Sequence, residues 1–556
     1  MTRLSGSFDG GPGCAASARV AGPGVAVPHG IPGWTTATGP GSRTAAGGDR
    51  SCNTGAVFTG LGRRSSLGAL LCAVLLVTAL VVPLGPAPSY GSVGAPTVTR
   101  AAHHRLGLEA RIERLGVVDS VTEVPGFGPK GTRFFRIWFR LPVDHDHPDG
   151  RHFRLRGTLL HRGTDRPLVL ATSGYGLRSW QGTGPNEVTQ LVRGNQLDLE
   201  HRFFRPSRPD RPRWARQLTI RQAAADVHLV VRGLKQIYGR PWLSTGASKG
   251  GMTMTYHRRF YPGDVAGTVA YVAPNDVVDD EDDAYADFLA NVGGEAFADC
   301  RADLVAVQRR ILEDRDWFVA KLEKTVGTNG THLSLVGGAD RAVEVAAIET
   351  YFAFWQYQPA EAACPEVPGA AATDQDIWEW VDSVLGWYFL TDEDTRYYVP
   401  YYYQAATQLG APAPYEAPIA DLLRYPGHDV PATFVPDDLE PLVHDATAMP
   451  DVDRWVRKRA SRMLFVYGEL DPWSAEPFSC GETGEARECV RYYAPEGNHG
   501  SKIGSLPGPD ERAAAGLVRQ WAGLSAKLPP GLVGRLRDTE RHADLRGVPA
   551  SDQPRP

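Results

Sequence analysis

Apolar and polar positions along the chain fall into three regimes. From about Arg133, short extended runs dominate: "FFRIWFRLPVDH" (Phe134–His145) alternates apolar and polar side chains, and "FRLRGTLLHR" (Phe153–Arg162) is a second run of the same kind. "RPLVLATSGYG" then holds a short, continuously apolar strand at Leu168–Ala171 that ends in a Gly-rich loop, and "NQLDLEHRFF" repeats that format around Leu197–Leu199. The period next changes to that of a helix. In "LTIRQAAADVHLVVRGLKQIYG", Ile220, Ala223, Ala224, Val227, Val230, Val231 and Leu234 form one apolar face. Strand, turn and helix come next in "RPWLSTGASKGGMTMTYHRRFYP", and "VAGTVAYVAPND" predicts another strand ending at Pro274. Continuous apolar strands alternating with helices predict a largely parallel sheet covered on both faces, which is an α/β fold.

The alternation breaks at Asp276. Up to about Arg454 the chain is acidic at first and then helical and aromatic, as in "IETYFAFWQYQP", "DIWEWVDSVLGWYFL" and "RYYVPYYYQAATQLG", with no signal for a buried strand. The sheet pattern resumes at Met463–Tyr467 in "SRMLFVYGELDPWS" and continues through "VRYYAPEGNHGSKI" to a closing helix, "DERAAAGLVRQWAGL". The expected organisation is therefore one α/β domain in two parts, 96–275 and 455–540, interrupted by a helical cap at 276–454 and ending in a tail at 541–556. The aromatic stripes of the insertion are expected to be helix core.

Composition changes the picture mainly at the N-terminus. Residues 1–61 are rich in Gly, Ala, Ser, Thr and Pro without apolar periodicity, and are expected to be disordered or to lie upstream of the true start. Residues 62–95 place Arg63 and Arg64 before an apolar run, Leu67–Val82, and then "PLGPAPSYGSVGAP". Basic, apolar and small-residue regions in that order are the layout of a signal peptide, of the Sec type or, through "RRSSL", the twin-arginine type. At about 16 residues the run is short of the roughly 20 that cross a bilayer, so no stable span is expected. A signal this far into the chain moves the expected start to near Val57. The cysteines agree with export: Cys14, Cys52 and Cys72 lie in or before the signal, and Cys300, Cys364, Cys480 and Cys489 form an even set downstream. Two disulfides are expected. Cys480 and Cys489 are close enough to close a short loop, which would leave Cys300 for Cys364. Zinc is the alternative, against which stands the lack of a C-x-x-C spacing. No metal or cofactor is expected. A net charge of −5 and no basic patch give no reason to expect nucleic acid as a partner. A monomer is expected.

The candidate chemistry begins at "LSTGASKGGMT", where Gly246, Ser248 and Gly250 match G-x-S-x-G. In that motif a strand ends, the chain reverses at the serine and a helix begins, with glycines where a β-carbon would clash. Short motifs arise by chance in a chain with 61 glycines, so this one gains its weight from two segments downstream. "LFVYGELDPWS" puts Asp471 just past a strand end, and "YYAPEGNHGSKI" puts His499 in the loop past the next. The order Ser, acid, His, each after a strand, is that of an α/β-hydrolase. A serine hydroxyl needs a base to take its proton, imidazole titrates near working pH, and a carboxylate fixes its tautomer. Glu469 competes with Asp471 for the acid role. His499 is the single His between Asp471 and the final helix; His201, His228 and His257 lie outside that slot and are read as structural. The backbone N–H of Lys249 is the first oxyanion donor, and the second is the N–H of Tyr175 or Gly176 in "SGYG", or the Tyr175 hydroxyl. Glu200, His201 and Arg202 make a charged cluster past a strand end, read as a salt-bridged loop or as a group orienting substrate.

Together "QLDLEHRFFRPSRP", "TGASKGGMT", "GELDPWS" and "GNHGSKI" resemble the S37 family of serine peptidases, secreted prolyl tri- and tetrapeptidyl aminopeptidases of Streptomyces-type actinobacteria, over about residues 115–525. "EHRFF", "LPVDH" and the inserted cap are also similar to lysosomal Pro-X carboxypeptidase and dipeptidyl-peptidase relatives. The resemblance implies Ser248 as nucleophile, Asp471 as orienting acid and His499 as base. It also implies release of short N-terminal peptides with cleavage after proline. An exopeptidase must hold a free ammonium, and the acidic start of the insertion, "NDVVDDEDDAYADF", offers several carboxylates without selecting one; a solvated acidic surface is the plainer expectation for that run. The same triad would serve an ester, and a catalytically silent scaffold is the reading from outside enzymes.

Overall fold

In a computed structural model, which describes residues 107–177, 184–439 and 441–532, nine strands form a single sheet. They are β1 (Val118–Glu123), β2 (Arg133–Pro142), β3 (His152–His161), β4 (Leu168–Ala171), β5 (Asn195–Leu199), β6 (Trp242–Ala247), β7 (Gly267–Tyr271), β8 (Met463–Gly468) and β9 (Cys489–Ala494). Their order across the sheet is β1-β2-β3-β5-β4-β6-β7-β8-β9. The three pairings from β1 to β5 are antiparallel and all later ones parallel. The expected signal peptide, the segment before it and the tail lie outside the described residues.

The two halves of the sheet reflect their side chains. In β2, Phe135, Ile137, Phe139 and Leu141 are fully buried, while Arg140 on the alternate face is exposed. The parallel strands β4, β7 and β8 are buried at every position, as strands covered on both faces must be. One cover is helix α1 (Ile220–Leu234), whose expected apolar face is buried at all seven positions and whose first turn is capped by the Thr219 side chain accepting from the Gln222 N–H. The other includes the short helix Glu187–Val192 and the final helix Gly508–Trp521, through Val188, Leu191, Ala514, Val518 and Trp521. β1 lies outside the predicted strands, which begin at Arg133. "VDSVTE" is an edge strand with no buried residue, so it carries little apolar signal.

No strand lies between β7 and β8 among the described residues. Instead the chain forms α2 (Lys249–Phe260) before β7 and, after it, the helices α3 (Ala298–Glu313), α4 (Arg315–Asn329), α5 (Ala339–Tyr357), α6 (Asp374–Val384), α7 (Asp392–Gln404) and α8 (Ala448–Arg459). The core of α3 to α7, with Leu304, Ile311, Phe318, Val343 and Trp355, is continuous with Tyr175, Phe204 and Leu470 from loops at the carboxyl ends of sheet strands. The insertion therefore sits over that edge of the sheet. The expected junction at 454 falls within α8, whose Met449, Val452 and Val456 pack with Met252 of α2 and Phe465 of β8. Disulfides join Cys300 to Cys364 and Cys480 to Cys489. The first closes a separation of 64 residues within the insertion, a constraint on the unfolded chain worth about 4 kcal/mol.

Candidate active site

Four adjacent parallel strands, β6 to β9, end at the same edge, and three of them deliver the expected residues. Ser248 comes directly after β6 and precedes α2 with φ 54° and ψ −131°, a conformation that a residue with a β-carbon holds only when its surroundings impose it. The turn is held by the Ser248 N–H donating to the Tyr271 carbonyl (2.9 Å) and by the Met252 N–H donating to the Ser248 carbonyl (3.0 Å). A β-carbon on Gly250 would come within 2.2 Å of the Thr172 carbonyl oxygen, so the motif's glycine is required by the close approach of the β4 loop.

Asp471, past β8, is fully buried, and His499, past β9, is 9% exposed. Their side chains meet at 2.8 Å between Oδ2 and Nδ1, and Asp471 Oδ1 accepts from the Trp473 N–H at 3.2 Å. With the carboxylate accepting at Nδ1, the imidazole carries its proton there and its basic lone pair on Nε2, the ring atom that has no hydrogen-bond partner. The competing Glu469 is exposed. Neighbouring contacts fix the His499 loop. Its backbone N–H donates to the Gln356 carbonyl of α5 (2.9 Å), and the Asn498 side chain donates to the Tyr357 carbonyl (3.0 Å). Buried Glu187 accepts from the N–H groups of Ile503 (3.1 Å) and Gly504 (2.7 Å).

Ser248 borders a small cleft, enclosing about 360 Å3 of space free of protein atoms and partly open to solvent, which it shares with Tyr175, Lys249, Asp276, Tyr401 and Trp473. Trp473 links this cavity to the base, with its ring 6.5 Å from that of His499. Of the expected oxyanion residues, Lys249 and Tyr175 line the cavity; Gly176 stands instead against the Tyr397 hydroxyl, and the Tyr175 N–H donates to Ser173 Oγ (3.2 Å). Glu200 braces this loop by accepting from the Leu177 N–H (3.0 Å) and from Arg156. Arg202 is engaged with Asp226, so the cluster is a salt-bridged loop. His201 is buried between the Tyr256 hydroxyl and the Arg202 carbonyl, and His228 and His257 both contact Asp264.

Two features of the cavity carry no signal in the sequence. The Lys249 side chain is buried, its Nζ donates to the Gly174 carbonyl (2.9 Å), and burial pushes its pKa down to about 7. Asp276 is 3% exposed with Oδ2 unpartnered; burial, with Asp279, Asp282 and Glu476 nearby, pushes its pKa up to about 8. The acidic run thus divides: Asp280, Glu281 and Asp283 are exposed, and its first aspartate faces Ser248's cavity.

The sheet order and the serine at the β6 turn define an α/β-hydrolase. Residues 110–531 match the model of a peptidase family described as PS-10 peptidase S37, and the chain belongs to that family. It is 43% identical over 470 residues to the prolyl tri/tetrapeptidyl aminopeptidase of Streptomyces mobaraensis, an alignment covering 83% of this chain and 93% of that protein. Among solved structures, Candida antarctica lipase A in its closed state covers 79% of this chain and 94% of its own (12% identity, TM-score 0.34). The proline iminopeptidase of Mycobacterium smegmatis covers 69% and 98% (14% identity, TM-score 0.32).

Proposed function

We propose that this chain is an exported serine aminopeptidase that releases tri- or tetrapeptides from peptide N-termini, cutting after proline, with Ser248, Asp471 and His499 as its triad. The Asp471–His499 contact, at the strand edge where Ser248 emerges, carries the reading. Ser248 Oγ attacks the scissile carbonyl while His499 Nε2 takes its proton; Asp471 holds the imidazole and stabilises the imidazolium. The N–H of Lys249 receives the oxyanion, and the Tyr175 N–H, which donates to Ser173 Oγ in this structure, serves as the second donor once it turns from that hydroxyl. His499 then protonates the leaving amine, and water, activated by the same base, releases the peptide from Ser248. The helices between β7 and β8 act as a cap. The cut after proline and the peptide length are supported by the Streptomyces relative. Export is supported by the two disulfides and the signal-like segment at 62–95.

Tripeptidyl and tetrapeptidyl amides ending in proline, offered beside short acyl esters, test the proposal. Turnover of the peptides is expected, with Ser248→Ala lowering kcat by about 10³-fold or more. Turnover of esters alone would remove the peptidase reading, and peptide turnover indifferent to Ser248→Ala would remove the mechanism.

A further inference from the structure

A second cavity adjoins the one at Ser248, with Tyr401 and Trp473 in the walls of both. It encloses about 690 Å3 of space free of protein atoms, part of it open to solvent, and its walls are mostly aromatic and proline side chains such as Phe352, Tyr402 and Pro414. Two carboxyl groups interrupt this apolar lining. Glu349 comes from α5, and Asp429 from the stretch between α7 and α8, where it is only 8% exposed. The two are hydrogen-bonded to each other, and Glu349 Oε2 is buried with no hydrogen-bond partner.

Such a pair is costly to bury. Burial pushes the Glu349 carboxyl up to about 7; burial and the adjacent Glu349 push Asp429 well above the usual carboxylate range. The charged and titratable neighbours, Glu416, Tyr401 and Tyr402, supply no cation. Among the described residues neither carboxylate enters an ion pair. Elsewhere in the insertion the same problem is solved internally, since buried Glu344 has Arg315 at 2.5 Å. Glu349 and Asp429 therefore present a site whose missing component is a cation.

We propose that Glu349 and Asp429 bind the free α-ammonium group of the peptide substrate in the aromatic cavity next to Ser248. This rests on the aminopeptidase reading above and assigns a residue pair to the recognition of the N-terminus. An ammonium has donors enough for both carboxylates, and the proton the pair shares leaves as the cation arrives. The apolar walls exclude water and strengthen the ion pair, and they suit the side chains of a short peptide whose length is about 10 to 14 Å for three or four extended residues. Asp276 is the rival anchor, because it too is buried and unpartnered; it borders the Ser248 cavity and is absent from the lining of the second.

The test compares peptidyl-prolyl amides bearing a free or an acetylated N-terminus. Wild-type protein is expected to favour the free ammonium by about 100-fold in kcat/KM. Glu349→Gln and Asp429→Asn should each erode that preference through KM, and the double variant should abolish it. Glu349→Lys, which tethers an ammonium beside Asp429, should reverse it in favour of the acetylated peptide. Active-site labelling of Ser248 by a fluorophosphonate identifies the folded variants on which the comparison is made. A preference retained in every labelled variant, or absent in the wild type while peptides are cleaved, overturns the assignment; so does its loss in Asp276→Asn alone. Labelling and ester turnover by the wild type without cleavage of either peptide overturns the peptidase reading itself.

Discussion

Asp226 is buried and Glu349 is half-buried with its Oε2 enclosed, and the protein treats the two carboxylates in opposite ways. Asp226, on α1 and facing the loop after β5, receives two hydrogen bonds from Arg202 (2.6 and 2.7 Å) and one contact from His145 (2.7 Å). Burial pushes it up, yet the Arg202 charge and these bonds hold it below the usual range. Glu349, Asp429 and Asp276 have no such partner, and all three line cavities on the side of the sheet that carries Ser248. The first arrangement closes a loop and needs nothing further. The second leaves charge to be completed from outside, as expected of a surface that recognises a substrate.

The contrast is broken most severely at its paired side. Arg202→Met removes the cation and leaves Asp226 buried with His145 alone, so it should cost about 3–5 kcal/mol of unfolding free energy. Urea denaturation at neutral pH reads this directly. The double substitution Arg202→Met with Asp226→Leu should recover much of the loss, because it is the uncompensated charge that destabilises. A single variant as stable as wild type would mean that the pair is not what secures this loop.

At the unpaired side the sign reverses. The Asp276 carboxyl, at about 8 in the folded protein and near 3.9 when unfolded, binds its proton more tightly in the folded state. Its contribution is harmless below both values, and it destabilises progressively as pH rises from about 4 to 8. Asp276→Asn should therefore flatten the decline in stability across that window and raise stability at pH 8. Thermal melts of both proteins from pH 4 to 8 check this; parallel curves would show that the aspartate meets a counter-charge.

The same contrast explains how much of the molecule is legible in the chain. The placement of Ser248, Asp471 and His499 past strand ends is legible because strand ends are marked by local apolar runs. The face of α1 is legible because one helix's period determines it. The two disulfides are legible because four of the seven cysteines lie downstream of the signal-like segment, two of them nine residues apart. Asp276 is not. It belongs to an acidic run that looks solvated, and its burial depends on distant neighbours such as Gly410, where a β-carbon would lie 2.4 Å from the carboxylate. Glu349 is one carboxylate in an aromatic helical stripe, and its partner Asp429 lies in another segment. The lack of a counter-ion is a property of packing, and no local pattern records it.

Lys249 offers the finest test, because it is the cationic member of the unpaired set and adjoins the proposed nucleophile. Its ammonium has the Gly174 carbonyl as hydrogen-bond acceptor, with the rings of Tyr175 and Phe204 5.7 and 6.0 Å away. With a folded-state pKa near 7 against about 10.4 unfolded, the buried charge destabilises below pH 7, and stability rises as pH climbs from 7 towards 10. Lys249→Met should remove that rise and leave the protein at least as stable at pH 7. What it should lose is the anchor on the loop that carries Gly174, Tyr175 and Gly176, including the second proposed oxyanion donor. Because that donor acts on the charge developed in the transition state, kcat should fall by about tenfold with KM little changed. A drop in stability with kcat intact would instead class Lys249 with Arg202, as a cation whose role ends at holding the loop.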